Sequence, residues 1–475
     1  MLLSCFPYLF GWWLRPADFM GHVYNADDAC VHLAWMRQAA EGRWLFSDRF
    51  TAETQQPQFF HLFFLLLGKL AGWFGGSYRV LLVVYHLARI VCGWALLLVC
   101  YLLAALVFRE RETRRLALLI AGLSSGLGWF LNVVQGPGAY SMDFSTGLMM
   151  PETNTFLSLY LFPLFAASQL LLAGSYLLLL RAFGCGKARY AAGAGVLALI
   201  LGNIHTYDIL PFYAVLAVYL VCLALSRRAL PLRELLMVGI AALISLPGPL
   251  YQYLVFHRNP IFQAKALTPT LSPNLLPYAF TFGLVLLFAM VGAFQLRRQK
   301  TQQGAFLVIW AAVSLAMAYA PVSFQRKMIE GIHIPIALLA AGGWSYLGQR
   351  FATWRRYAVV WPALFLLLTV PSNIAVMAQS LQRLVNNNAE GTAGLLPPYY
   401  LDADERGGLD WLRAHAVSGD VVLSAPLAGA YMPPYCGVTT YVSHWAETIR
   451  FQQKLDAERT FFAGYVPDAW RRQFL

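Results

Sequence analysis

The chain has 475 residues, 59% of them hydrophobic and 12% charged, with a mean hydropathy of +0.55. Soluble globular proteins carry about 25% charged residues, so this composition excludes one and indicates an α-helical polytopic membrane protein. The net charge of +12 would suit nucleic acid in a soluble chain. Here the basic residues cluster in short loops between apolar runs, as the positive-inside bias expects. No nucleic-acid partner is expected, and an anionic lipid substrate is compatible with the charge.

In chain order, residues 1–14 are apolar but short for a span, which needs about 20 residues. They lack the basic region and cleavage site of a removable signal, and the first helix is expected to be incomplete. Residues 15–76 read as the first extracytoplasmic loop. Within it, 58–74 is expected to lie along the membrane. Further spans are expected at 78–108, 116–134, 156–180, 190–204, 209–225, 235–256, 277–296, 304–320, 331–347 and 357–376, about eleven in all. With 58–74 flat, the Arg-rich loops 109–115, 181–189, 226–234, 297–303 and 350–356 all face the cytoplasm. If 58–74 crossed, every one would face out.

This transmembrane part covers 1–380. A polar linker follows at 381–404, with Asn386-Asn387-Asn388 and Pro397-Pro398. Residues 405–475 read as a small extracytoplasmic α/β domain, with helices at 407–416 and 446–463 and strands at 420–424 and 439–443. The sequence stops abruptly at 470–475, so this domain is expected to be incomplete. The seven cysteines show no C-x-x-C spacing. Cys92, Cys100 and Cys222 lie in apolar runs and read as small core hydrophobes. No G-x-G-x-x-G or P-loop occurs, so no nucleotide cofactor is expected.

The assignment places the unusual polar groups on one face, although none of them was used to make it. Asp27, Asp28, Glu53, Glu152, His205, Asp208, Arg326, Lys327 and Glu330 all become extracytoplasmic or lie at that membrane edge. Asp27-Asp28 suits a general base for glycosyl transfer with inversion, which must deprotonate an acceptor hydroxyl. The second carboxylate could raise the first one's pKa, orient the acceptor or hold a divalent cation. The plainer reading is a helix-start pair. Glu53 and Glu152 are loop acids before helices, equally suited to a helix N-terminus. His205-Thr206-Tyr207-Asp208 interrupts a long apolar stretch, where ionisable residues are functional by default. A structural His–Asp hydrogen bond is the competing reading. Arg326 and Lys327 break the positive-inside trend and suit a phosphate at headgroup level, or a snorkelling pair. In the tail, His444 and Glu447 occupy a strand-to-helix junction, where an acceptor-side role is the functional reading.

These motifs resemble the GT-C superfamily of membrane glycosyltransferases, which includes the protein O-mannosyltransferases and the lipid A aminoarabinose transferase. The residues that carry the resemblance are Asn25-Ala26-Asp27-Asp28, Trp35-Met36-Arg37-Gln38, Pro151-Glu152, His205-Thr206-Tyr207-Asp208 and Ser443-His444-Trp445-Ala446-Glu447-Thr448. It covers nearly the whole chain. The resemblance implies a polyprenyl-phosphate sugar donor and an inverting transfer to a lipid, glycan or protein acceptor. It also implies that the reaction takes place outside the cytoplasmic membrane, with Asp27 or Asp28 as the base. The rival from another class is a transporter or flippase of lipid-linked glycans. That reading calls for repeated halves and polar groups at the bilayer midplane, and the sequence shows neither.

Overall fold

The computed structural model describes residues 1–135, 150–266, 269–351, 356, 360–387, 397–417 and 419–475. Parts of the expected loop before residue 154, of the loop at 350–356, of the last span and of the linker at 381–404 lie outside the described residues. The described chain is mostly helical and divides into two compact units. One comprises Met1–Ser4, Ala88–Tyr253 and Pro269–Gln379. The other comprises Cys5–Leu87, Leu254–Thr268 and Ser380–Leu475.

Five helices are long and apolar enough to cross a membrane: Tyr78–Val107, Pro163–Cys185, Thr206–Arg227, Leu275–Arg298 and Gln325–Arg350. Two further pairs, Leu232–Ser245 with Pro247–Arg258 and Val360–Thr369 with Pro371–Asn386, each bend by 45° and could count as one span apiece. The chain is a multi-pass membrane protein, with five to seven helices of spanning length and apolarity among the described residues. Leu2–Leu14, Leu62–Trp73, Ala188–Ile204 and Gln302–Met317 are apolar but shorter. Leu62–Trp73 has 12 residues. At about 1.5 Å per residue it cannot cross a hydrocarbon core of about 30 Å alone.

The expected span at 116–134 is broken into Arg111–Leu123 and Gly128–Gln135. The break survives because its backbone finds partners elsewhere in the first unit. Ser125 N–H donates to Thr369 O at 2.6 Å, Leu127 N–H to Phe280 O at 2.8 Å, and Ser372 Oγ to Gly126 O at 2.9 Å. The expected span at 156–180 is also broken, at Leu161 and Phe162, where Pro163 starts the longer helix. Leu275–Arg298 and His333–Arg350 cross through glycines. A Cβ on Gly292 would sit 1.9 Å from Leu339 O, and one on Gly343 would sit 2.1 Å from Phe288 O. Only glycine allows this approach, which is the small-residue packing that apolar helices use.

In the second unit, Ala26–Ala40 packs on Leu62–Trp73 and on the short helix Met432–Cys436. The C-terminal segment is stitched to the first loop by main-chain contacts. Arg37 Nη1 donates to Tyr435 O at 2.7 Å, Arg49 Nη1 to Gly437 O at 2.9 Å, and Thr440 N–H to Arg49 O at 2.9 Å. The two expected strands shrink to a parallel pair of two residues each, with Val421 opposite Thr439 and Val422 opposite Thr440. The expected helix at 446–463 begins only at Phe451. Residues 445–450 turn instead, around a histidine described next.

Candidate active site

The site residues expected from the sequence fall into two groups, one in each unit. In the second unit the helix Ala26–Ala40 starts at Asn25, whose backbone is left-handed at φ 46°. Asparagine tolerates that conformation better than most residues. Its side chain makes no cap bond. Instead its Nδ2 donates to Asp28 Oδ2. Asp27 and Asp28 occupy the first turn, where the helix dipole favours negative charge. Asp27 is buried, whereas the Asp28 side chain is 46% exposed.

His444 closes the group. Its Nε2 lies 3.3 Å from Asp28 Oδ1 and 3.7 Å from Asp27 Oδ2. The N–H groups of Ala446 and Glu447 donate to its Nδ1 at 3.1 and 3.2 Å. A backbone N–H can only donate, so Nδ1 must carry the lone pair and Nε2 the hydrogen. Burial opposes charge on this ring, but the hydrogen bond to Asp28 and the charges of Asp27, Asp28 and Glu447 push its pKa up to about 9. The two pulls conflict. The backbone donors decide the ground-state tautomer, because protonating Nδ1 would set N–H against N–H. His444 Nε2 therefore donates to Asp28 Oδ1, while Asn25 Nδ2 donates to Oδ2.

Asp27 is raised from 3.8 to about 6, first by burial and then by the charge of Asp28, with His444 opposing. Its Oδ1 has no hydrogen-bond partner among the described residues. Folding thus favours the protonated form. Its stabilising contribution is full below about pH 4 and is lost as the pH rises through about 6. At neutral pH the ionised carboxylate costs about 2–3 kcal/mol. We expect Asp27→Asn to raise the thermal midpoint at pH 7.5, with the gain fading as the pH falls from 6 to 4. Thermal denaturation across that range checks this, and a variant less stable than wild type at pH 7.5 would contradict it.

Glu53 is paired elsewhere. Lys454 Nζ reaches its Oε2 at 2.8 Å, and Thr51 bonds the same oxygen. Burial would raise its pKa, but the bonds from Lys454 and Thr51 hold it below the ordinary value. Glu447 is buried in the turn after His444.

In the first unit the expected residues lie at three helix breaks. Glu152 lies in the 3₁₀ turn Pro151–Thr153, His205 to Asp208 at the turn before Ile209–Arg227, and Arg326 to Glu330 at the turn before His333–Arg350. Gly331 N–H donates to Glu152 O at 3.2 Å, which ties the first break to the third. His205 Nδ1 lies 3.0 Å from Asp208 Oδ2 and 3.4 Å from Glu330 Oε2. Lys327 Nζ sits 4.4 Å above the Tyr207 ring. Arg326 Nε is buried with no hydrogen-bond partner among the described residues.

No protein-family model and no curated protein sequence matches the chain. Solved structures do match. The oligosaccharyltransferase of Archaeoglobus fulgidus in its apo form superposes with a TM-score of 0.54 at 14% identity, over 93% of this chain and 63% of that one. ArnT of Cupriavidus metallidurans, solved with undecaprenyl phosphate bound, superposes with a TM-score of 0.51 at 14% identity, over 97% of this chain and 87% of that one. The chain shares the fold of these two structures. It spans under two thirds of the archaeal enzyme's length. That enzyme has also been solved tethered to an acceptor peptide containing the NVT sequon.

Two partners, Lys454 and Ser168, escaped the sequence reading, and so did the contact made by a third, Asn25. Lys454, which neutralises Glu53, lies on a helix whose pattern looks merely amphipathic. Ser168 donates to Glu330 Oε1 at 2.6 Å and reads in sequence as an ordinary small residue of an apolar helix. Asn25 belonged to the expected motif, but its grip on Asp28 depends on a left-handed backbone that residue type only permits.

Proposed function

We propose that this protein is an inverting glycosyltransferase that moves a sugar from a polyprenyl-phosphate donor to an acceptor. The fold supports the class, and the Asp27–Asp28–His444 group supports the chemistry. The observation that carries the reading is Asp28. It is the more exposed acid of the pair, held on both oxygens and left with lone pairs for an incoming hydroxyl. Asp28 is the proposed base. His444 and Asn25 position it, and Asp27 maintains negative charge beside it. Arg326 and Lys327 are assigned to the donor phosphate, and Tyr207 holds Lys327 in place. Glu53 fastens the first loop to the tail rather than meeting substrate. Undecaprenyl phosphate on ArnT and the acceptor peptide on the archaeal enzyme make a polyprenyl-phosphate sugar the donor to try first and a lipid, glycan or protein the acceptor class.

Purified protein supplied with a panel of polyprenyl-phosphate sugars tests the class. Release of polyprenyl phosphate with a sugar of inverted anomeric configuration supports the reading. In liposomes, movement of intact donor across the bilayer without its consumption would instead establish a flippase.

The reading places the reaction outside the cytoplasmic membrane, with the Arg-rich loops inside. In a cysteine-free background, an impermeant maleimide applied to intact cells should label Trp411→Cys and spare Glu112→Cys. The reverse pattern would invert the topology and contradict an extracytoplasmic site.

A further inference from the structure

The breaks at 205–208 and 325–330 bring an imidazole and two carboxylates together inside the first unit. The donor atoms of His205, Asp208 and Glu330 all lie within 4.8 Å of one another. The shorter separations are 3.0 Å from His205 Nδ1 to Asp208 and 3.4 Å to Glu330. These atoms face one another without the alignment of hydrogen bonds. His205 Nδ1, both Asp208 carboxylate oxygens and Glu330 Oε2 are buried with no hydrogen-bond partner among the described residues. Asp208 is 0% and Glu330 1% exposed.

Charge adds a second, independent argument. Glu152 acts electrostatically on both Asp208 and Glu330, and its Oε2 is also buried without a partner among the described residues. Two buried carboxylates thus face one imidazole, a third acts on both of them, and the Lys327 ammonium is nearby but seated on Tyr207. A buried excess of negative charge is expensive unless a cation compensates it. The spacing fits one. Metal bonds of about 2.0–2.2 Å set neighbouring donor atoms about 2.8–3.6 Å apart across octahedral and tetrahedral angles, a range that holds both His205 separations. The Ser168 hydroxyl fixes the far oxygen of Glu330, the kind of supporting bond that orients a ligating carboxylate.

We propose that His205, Asp208 and Glu330 bind one divalent transition-metal ion of the zinc or manganese class, with Glu152 supplying further negative charge beside it. One imidazole and two carboxylates form a mixed nitrogen–oxygen set that suits those ions. Three protein donors leave a position open for water or an anion. The ion would also clamp the break after Ala188–Ile204 to the turn before His333–Arg350. These residues belong to the first unit, whereas Asp27, Asp28 and His444 belong to the second, and the proposal does not depend on the protein being a glycosyltransferase.

The test uses the full-length protein in detergent, loaded with Zn²⁺ or Mn²⁺, desalted and analysed for metal by mass spectrometry. About one retained ion per chain is expected, with a thermal midpoint that falls on chelation and recovers when the metal is restored. Glu330→Gln and Asp208→Asn should each lose the ion, while Asp27→Asn keeps it. A wild-type protein that retains neither metal, and whose midpoint is unchanged by chelator, overturns the proposal. The cluster would then be held by shared protons. Wild-type metal content in the Asp208→Asn/Glu330→Gln double variant overturns it equally. Neither readout involves sugar transfer, so failure here leaves the glycosyltransferase reading untouched.

Discussion

Asp28→Asn is expected to lower glycosyl transfer by about 10²–10⁴-fold, the usual cost of losing a general base, with the fold intact. The substitution keeps shape and volume. Its amide oxygen can still accept from one of the Asn25 and His444 side chains, but it cannot take a proton from an acceptor hydroxyl. The 46% exposure of Asp28 leaves room for that hydroxyl to approach within about 2.6–3.2 Å. Asp27 cannot substitute, because it is buried and its pKa of about 6 makes it partly protonated in mild acid. Turnover and thermal midpoint measured on the same preparation check this. Near-normal turnover with a normal midpoint would remove Asp28 from the reaction.

Arg326→Gln is expected to cost about 10²–10³-fold in turnover, comparable to deleting one donor that stabilises charge developing in a transition state. Cleavage of a polyprenyl-phosphate sugar leaves growing negative charge on the lipid phosphate. A fixed cation there helps the transition state more than the ground state. The buried, unpartnered Nε of Arg326 gives it a donor to offer. Its planar fork can hold two phosphate oxygens, which a lysine cannot do. Arg326→Lys should therefore lose about tenfold although the charge is kept. If lysine serves as well as arginine, the residue merely snorkels to lipid headgroups. The split between kcat and KM adds a check, because a transition-state contact lowers kcat while simple donor binding raises KM.

The polar residues were legible because they stand out in apolar surroundings. His205, Asp208, Arg326 and Glu330 were all visible this way, and the structure sets each at a helix break. What joins them was not legible. Asp28 and His444 are separated by 416 positions, and Glu53 and Lys454 by 401. Nothing local announces such pairings. The breaks inside expected spans were missed for a related reason. The break near residue 125 is satisfied by Thr369, Phe280 and Ser372, partners that a hydropathy window never sees. Other breaks carried a readable signal. Pro163, Pro247 and Pro371 each begin a helix, and a proline marks a probable boundary at the preceding residue. The expected spans at 156–180, 235–256 and 357–376 ran straight through them.

The tail illustrates the limit from the other side. The strands expected at 420–424 and 439–443 contain the paired residues 421–422 and 439–440. The helix expected from 446 starts late because the His444 ring takes the first two N–H groups of that turn, and Arg450 then adopts a left-handed backbone before Phe451. That same capping arrangement fixes the tautomer through which His444 reaches Asp28. A local rule about helix propensity therefore failed at the proposed active site, where local and functional demands are expected to diverge.

The most direct test of the central claim is donor consumption by purified wild type and Asp28→Asn, assayed side by side with a polyprenyl-phosphate sugar and a mixed lipid, glycan and peptide acceptor pool. The account predicts that the wild type releases polyprenyl phosphate and that Asp28→Asn does so at least about 10²-fold more slowly at equal folded fraction. Equal release by the two proteins, or donor carried intact across a bilayer by the wild type with none consumed, would contradict it.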